Sequence, residues 1–152
     1  MQSRKSHWLK PVLLKERPMP MTPVIEQSLT FKCTPAELYE LFMDSAKHTA
    51  ATGAPAKISR KVGGKWVAFN GALVGKNLEL VPNDMIVQAW RSTNFKKDDP
   101  DSILIVRFEK AKSGATVYLT HVGVPKQDHK GVTKGWKKYY WEPWKKYFKN
   151  KR

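Results

Sequence analysis

From Gly135 the chain reads Gly-Trp136-Lys-Lys138-Tyr139-Tyr140-Trp141-Glu-Pro143-Trp144-Lys145-Lys-Tyr147-Phe148, rings and lysines interleaved with helical spacing. On a wheel of about 100° per residue, Val132, Trp136, Tyr139, Tyr140, Pro143, Trp144 and Tyr147 fall on one side and Lys134, Lys138, Lys145 and Lys149 on the other. One long basic helix with an aromatic face closes the fold, and the rest of the chain has to supply a surface that covers those rings. Pro143 lies inside the pattern; it has no N–H and its ring meets the carbonyl of Tyr139, so a kink, or a stop near Glu142 and a restart, is expected there.

A length of 152 residues fits one domain able to bury roughly two-thirds of its unfolded surface. The single cysteine, Cys33, forms no internal disulfide, and no apolar run approaches the roughly 20 residues of a membrane span, so the expectation is a soluble, cytoplasmic chain. Net charge is +15, concentrated at the ends: residues 1–20 hold five basic groups and one acidic, residues 126–152 ten and two. Such an arm and such a helix attract polyanions, acidic proteins or anionic lipid without shaping the fold, or are simply solvated lysine surfaces. Pro11, Pro18 and Pro20 break any long helix in the arm, which sets domain limits of 1–22 for a basic arm and 23–152 for the folded unit.

Along the folded unit, Ile25, Leu29 and Phe31 occupy alternating positions of a first half-buried strand. Thr34-Pro35-Ala36-Glu37 forms a capping box with proline at the first helical position, opening a helix striped by Leu38, Leu41 and Phe42. A second helical piece covers Ser45 to Ala51 and ends at Gly53 and Pro55. From Ala56 to Val124 the period becomes two, with turns at Gly63-Gly64, Asn70-Gly71, Pro82-Asn83-Asp84 and Ser113-Gly114. The predicted strands are Lys57–Lys61, Lys65–Asn70, Ala72–Val81, Met85–Ser92, Ser102–Lys110 and Thr116–Val124. Asn94 to Asp101 reads as an exposed loop, and the closing helix is expected to begin near His129 or Lys130. The fold class is α+β, a curved antiparallel sheet wrapped round the C-terminal helix.

The segment Lys61 to Leu80, with Gly63-Gly64, Trp66, Phe69, Gly71 and Gly75, resembles the family of activators of the heat-shock protein 90 ATPase. So do Thr34 to Phe42, Val87 to Arg91 with Trp90, Leu119 to Pro125 with His121, and the ending Gly135 to Phe148; together they span about residues 24–150. The resemblance implies the helix-grip fold of START domains and the birch-pollen allergen, in which sheet and helix enclose an apolar cavity. It also implies a co-chaperone-type role: in the eukaryotic co-activator this kind of domain contacts the chaperone's amino-terminal domains. The separate amino-terminal half of that co-activator is matched by no part of these residues.

Three function classes follow. The first is a non-enzymatic binding module. Its partner would be a heat-shock protein 90-type chaperone, held by Lys134, Lys138, Lys145, Lys149 and the Asn94–Asp101 loop, or a small apolar ligand in a cavity lined by Trp66, Phe69, Trp90, His121, Trp136, Tyr140 and Trp144. The same rings equally fill a core. Nucleic-acid binding is the second class, opposed by the placement of the aromatics away from the lysines. The third is a cyclase- or hydrolase-like enzyme. His48, His121, Asp44 and Glu79 are its acid–base candidates, but no nucleophile set, paired carboxylate or phosphate loop accompanies them, so no catalytic residue, metal or cofactor is expected. His7, His48, His121 and His129 are too scattered for a metal site. Cys33, between a strand end and a helix N-cap, is either a thiol activated by the helix dipole or a small buried hydrophobe.

Overall fold

The computed structural model describes residues 21–151. Of the arm expected over 1–22, residues 1–20 lie outside the described residues. In chain order the elements are β1 (Ile25–Phe31), α1 (Pro35–Met43), α2 (Ser45–Thr52), β2 (Lys57–Ile58), β3 (Lys65–Ala68), a 3₁₀ turn (Phe69–Gly71), β4 (Leu73–Val81), β5 (Met85–Ser92), β6 (Ser102–Ala111), β7 (Gly114–Val122), α3 (Lys126–Trp136), a π-helical turn (Lys137–Trp141) and α4 (Glu142–Asn150). The strands form one sheet in the order β1-β7-β6-β5-β4-β3-β2, every pairing antiparallel. Residues 126–150 run as one helix against it, completing the helix-grip arrangement that the resemblance implied.

Local chemistry accounts for the elements. Thr34 accepts from the backbone N–H of Glu37 while the Glu37 carboxylate accepts from the Thr34 N–H, so the capping box forms with Pro35 in the first turn. Asp44 caps α2 through Lys47 N–H, and left-handed Gly53 ends it. Strand alternation puts Ile86, Gln88 and Trp90 of β5 and Leu104, Val106 and Phe108 of β6 on the concave face, where α1 and the closing helix cover them.

β4 runs between β3 and β5 with no room for a side chain at one point. Gly75 lies between Trp66 and Trp90, and a Cβ there would sit 1.9 Å from the Ala89 carbonyl oxygen and 2.6 Å from the Trp66 ring. Only glycine admits that approach. A bulge at Leu78 follows, and buried Asn77 beside it donates to the carbonyls of Ser59 and Lys61 while accepting from Gln88. That amide ties the β2–β3 loop to the sheet, and β2 stops at Ile58 rather than Lys61 because the chain turns into this contact.

Three further expectations are corrected. The closing helix starts at Lys126, immediately after Pro125, rather than near His129 or Lys130. It neither kinks apart nor stops at Pro143; a wider turn over Lys137–Trp141, in which Glu142 N–H bonds to the Lys137 carbonyl, precedes the proline and carries the helix through it. The Asn94–Asp101 loop is anchored. Phe95 is buried against Trp90, and the Arg91 guanidinium donates to the carbonyls of Lys96 and Asp99 and to the Asp101 carboxylate.

Candidate functional site

The closing helix and the sheet do not meet everywhere. Between α3, the end of β5 and the start of β4 lies an open cavity of about 490 Å³. Phe69, Leu73, Trp90, Trp136, Tyr139 and Tyr140 make most of its wall, and Ser92, Asn94 and Asp128 its polar rim. The helix leaves the space open because it presents Gly131 and Gly135, one turn apart, toward it. Ideal Cβ atoms at these positions would meet nothing closer than 3.6 Å, so the absence of side chains here empties volume rather than relieving a clash.

Asp128 is the one carboxylate among the described lining residues and is 5 % exposed. Its Oδ2 accepts from the Ser92 hydroxyl at 2.5 Å and its Oδ1 from the Asn94 amide at 3.1 Å. Both donors are neutral, and among the described residues no lysine, arginine or histidine forms an ion pair with it.

Behind the cavity a polar seam crosses the core. His121, fully buried, accepts at Nδ1 from the Trp136 indole N–H at 3.2 Å. An indole only donates, so the ring proton of neutral His121 sits on Nε2 and is given to Ser102 Oγ at 2.8 Å; the serine hydroxyl in turn donates to the Trp90 carbonyl at 2.7 Å. Burial, with a smaller contribution from His129, holds the His121 pKa down to about 3. His48 is likewise buried, lies 3.0 Å from the Tyr140 hydroxyl through Nε2, and is held to about 4 by desolvation. Burial pushes the Tyr140 hydroxyl well above its ordinary value.

Of the residues expected to line a cavity, Phe69, Trp90, Trp136 and Tyr140 meet in this one. Trp66, His121 and Trp144 lie elsewhere: Trp66 behind Gly75, His121 in the seam, and Trp144, 0 % exposed, among Phe31, Phe42 and Trp141. The residues that sequence reasoning passed over are Asp128, Gly131 and Gly135. Two glycines four apart inside an amphipathic helix were the available signal, since each weakens a helix by about 1 kcal/mol relative to alanine.

On the outer face Lys134, Lys138, Lys145 and Lys149 are all exposed. Lys145 lies 3.6 Å from Glu142, and Lys138 Nζ lies over the Tyr139 ring. Tyr139, expected on the buried side, is 48 % exposed, while Trp141 and Phe148 are buried. The other acid–base candidates are dispersed: Asp44 caps α2 and Glu79 is exposed on β4. Cys33 is half-buried, and burial together with the Glu37 charge pushes its thiol up to about 12, which removes the activated-thiol expectation. Among the described residues no group of three or more metal-ligating side chains converges and no helix is long and apolar enough to cross a membrane.

Residues 32–149 match the profile of a family described as activator of Hsp90 ATPase homolog 1-like protein. An activator of 90 kDa heat shock protein ATPase homolog from Dictyostelium discoideum is 28 % identical over 117 residues, covering 77 % of this chain and 30 % of its own length. The human activator of 90 kDa heat shock protein ATPase homolog 1 is 31 % identical over 108 residues, covering 70 % and 31 %. The chain thus spans about a third of the length of the curated relatives it matches. Among solved structures, an HSP90 activator from Plasmodium falciparum superposes with a TM-score of 0.71 at 24 % identity, covering 80 % of this chain and 92 % of that one. The Aha1 dimer from Colwellia psychrerythraea gives 0.69 at 15 % identity, covering 80 % and 92 %. At these identities the superpositions establish the fold.

Proposed function

The chain belongs to the activator of Hsp90 ATPase homolog 1-like family, and from that premise we propose that it is a non-enzymatic, co-chaperone-type binding module that docks on a heat-shock protein 90-type chaperone through the outer face of its closing helix. The observation that carries the reading is the row Lys134, Lys138, Lys145 and Lys149, exposed on one rigid helix whose aromatic side is locked into the core. From Lys134 to Lys149 the row advances 15 residue steps, or about 22 Å at 1.5 Å per residue. Rim cations of this kind raise the association rate and the salt sensitivity of binding to an acidic partner more than they raise affinity. The non-enzymatic part is supported by His48 and His121, both buried, hydrogen-bonded and held neutral, while the Asp44 carboxylate is used to cap α2 and Glu79 is exposed on β4.

Surface-immobilised heat-shock protein 90 titrated with the full chain between 50 and 500 mM salt tests it. Binding is expected to weaken steeply with salt, and a Lys134→Glu, Lys138→Glu, Lys145→Glu, Lys149→Glu variant to lose most of the association rate. Equal rates for both proteins sink the assignment. Nucleic-acid binding draws little support, because among the described rings of the helix Tyr139, 48 % exposed, is the one exposed beside these lysines.

The cavity of about 490 Å³ favours a second reading, a small apolar ligand held between helix and sheet. Its wall is aromatic, its mouth open, and its polar groups few. Saturable quenching of Trp90 and Trp136 fluorescence by an apolar probe checks this reading independently of any chaperone.

A further inference from the structure

In a chain with 28 basic residues, the described lining of this cavity contains no lysine or arginine and one carboxylate, Asp128. From that contrast we propose that the cavity is a site for an organic cation, a ligand with an ammonium head at Asp128 and an apolar body against the aromatic wall. The proposal rests on the cavity being a ligand site and names the class of ligand it takes.

A carboxylate offers about four acceptor positions. Two are filled here, by Ser92 and Asn94, and both donors are uncharged. A buried carboxylate without a cation is costly. Its place in the first turn of α3 offsets part of that cost, because the helix N-terminus carries about half a positive charge. No described cation is paired with it to offset the rest. Ser92 and Asn94 also fix the carboxylate, so it is preorganised at the rim before any ligand arrives.

The wall suits the same partner. Trp90 and Trp136 pack with ring centroids 6.2 Å apart, Tyr140 lies 4.8 Å from Trp136, and Phe69 5.5 Å from Tyr140. Rings carry a negative face, tryptophan most strongly, and attract a desolvated cation placed over it. An anionic ligand meets the opposite conditions, a fixed negative charge and no cation to pair with. The overall charge of +15 slows the approach of a free cation but is screened within about 8 Å at physiological salt, so it does not decide selectivity inside the cavity.

The test compares benzyltrimethylammonium with neopentylbenzene, its uncharged isostere, followed by indole N–H shifts of Trp90 and Trp136 in the full chain. The ammonium compound is expected to bind at least tenfold more tightly, and Asp128→Asn to abolish that advantage while keeping the affinity for neopentylbenzene. Equal or tighter binding of the neutral probe to the wild-type chain overturns the charge assignment and leaves the cavity reading standing. Absence of any indole shift with both probes at millimolar concentration removes both. The wild-type comparison alone decides the question if Asp128→Asn fails to fold.

Discussion

Trp136 donates its indole N–H to Nδ1 of His121 at 3.2 Å, and this bond fixes the tautomer of a histidine that has no contact with solvent. It links the closing helix to β7, and through Ser102 of β6 to the backbone of β5, so four elements share one line of hydrogen bonds. Every member uses its proton inside the seam. That makes His121 a structural group and leaves the chemistry of the cavity to its rim.

The seam predicts acid sensitivity. Folding holds the pKa of His121 at about 3 and of His48 at about 4, against an ordinary 6.5. Between these values the unfolded chain binds protons that the folded chain refuses, so stability is complete above about pH 6.5 and is lost as pH falls toward the folded values. From pH 6.5 to 5 the loss is about 1–2 kcal/mol per histidine. Urea midpoints across this range are expected to drop for the wild-type chain and to drop less for His48→Gln. A flat profile contradicts the assignment of both rings as neutral.

The sheet and short helices were legible in the sequence because their signals are local. Alternation in β1 and β5, the Thr34–Glu37 capping box, and the turns at Gly63-Gly64 and Pro82-Asn83-Asp84 each depend on neighbours within a few residues. The helix starts at Lys126, earlier than the expected His129 or Lys130, and the contacts that hold its first turn are not local: the Asp128 carboxylate is engaged by Ser92 and Asn94, more than thirty residues away. The Asn94–Asp101 loop is where expected but Phe95 within it is buried, because nothing near it in sequence shows that Trp90 and Arg91 will cover it. Tyr139 was placed inside because a wheel assumes constant rotation, which the π-helical turn breaks. Half of the cavity wall was visible as aromatics; the empty half, made by Gly131 and Gly135, is a matter of missing atoms that only the packed structure reveals.

Those glycines yield a second prediction. Neither has a positive φ, and an alanine Cβ at either would find ordinary contacts at 3.6 Å. Gly131→Ala and Gly135→Ala are each expected to raise stability by about 0.5–1 kcal/mol through helix propensity while reducing ligand affinity, a separation that denaturation and probe titration read on the same samples. Loss of stability on either substitution means that the helix backbone here is held differently.

Cys33 supplies a third. With its thiol pushed up to about 12, the thiolate fraction near neutral pH falls on the order of a hundredfold or more below that of an ordinary thiol. A disulfide reagent at pH 7.5 is expected to label it that much more slowly in the folded chain than in guanidinium. Rapid labelling of folded protein returns Cys33 to the list of reactive groups.

The π-helical turn over Lys137–Trp141 has two candidate causes, and they predict different outcomes for Pro143→Ala. One is the proline, which lacks a donor and whose ring crowds the preceding turn. The other is the spacing of the buried residues. Val132, Trp136, Tyr140, Trp144 and Phe148 recur every four residues, and each such step advances about 40° on a helix of 3.6 residues per turn. Four steps would carry Phe148 about 160° away from Val132, off the buried face. A turn closed by the longer bond from Glu142 N–H to the Lys137 carbonyl rotates each residue less and brings the later rings back toward the core. Burying one such side chain is worth about 1.5–3 kcal/mol, against about 1 kcal/mol for the hydrogen bond that a donor at 143 restores, so spacing outweighs the proline. Pro143→Ala is therefore expected to keep the turn, leave the near-ultraviolet dichroism of the stacked Trp136 and Trp141 pair unchanged, and shift stability by no more than about 1 kcal/mol. A reorganised aromatic spectrum assigns the turn to the proline instead.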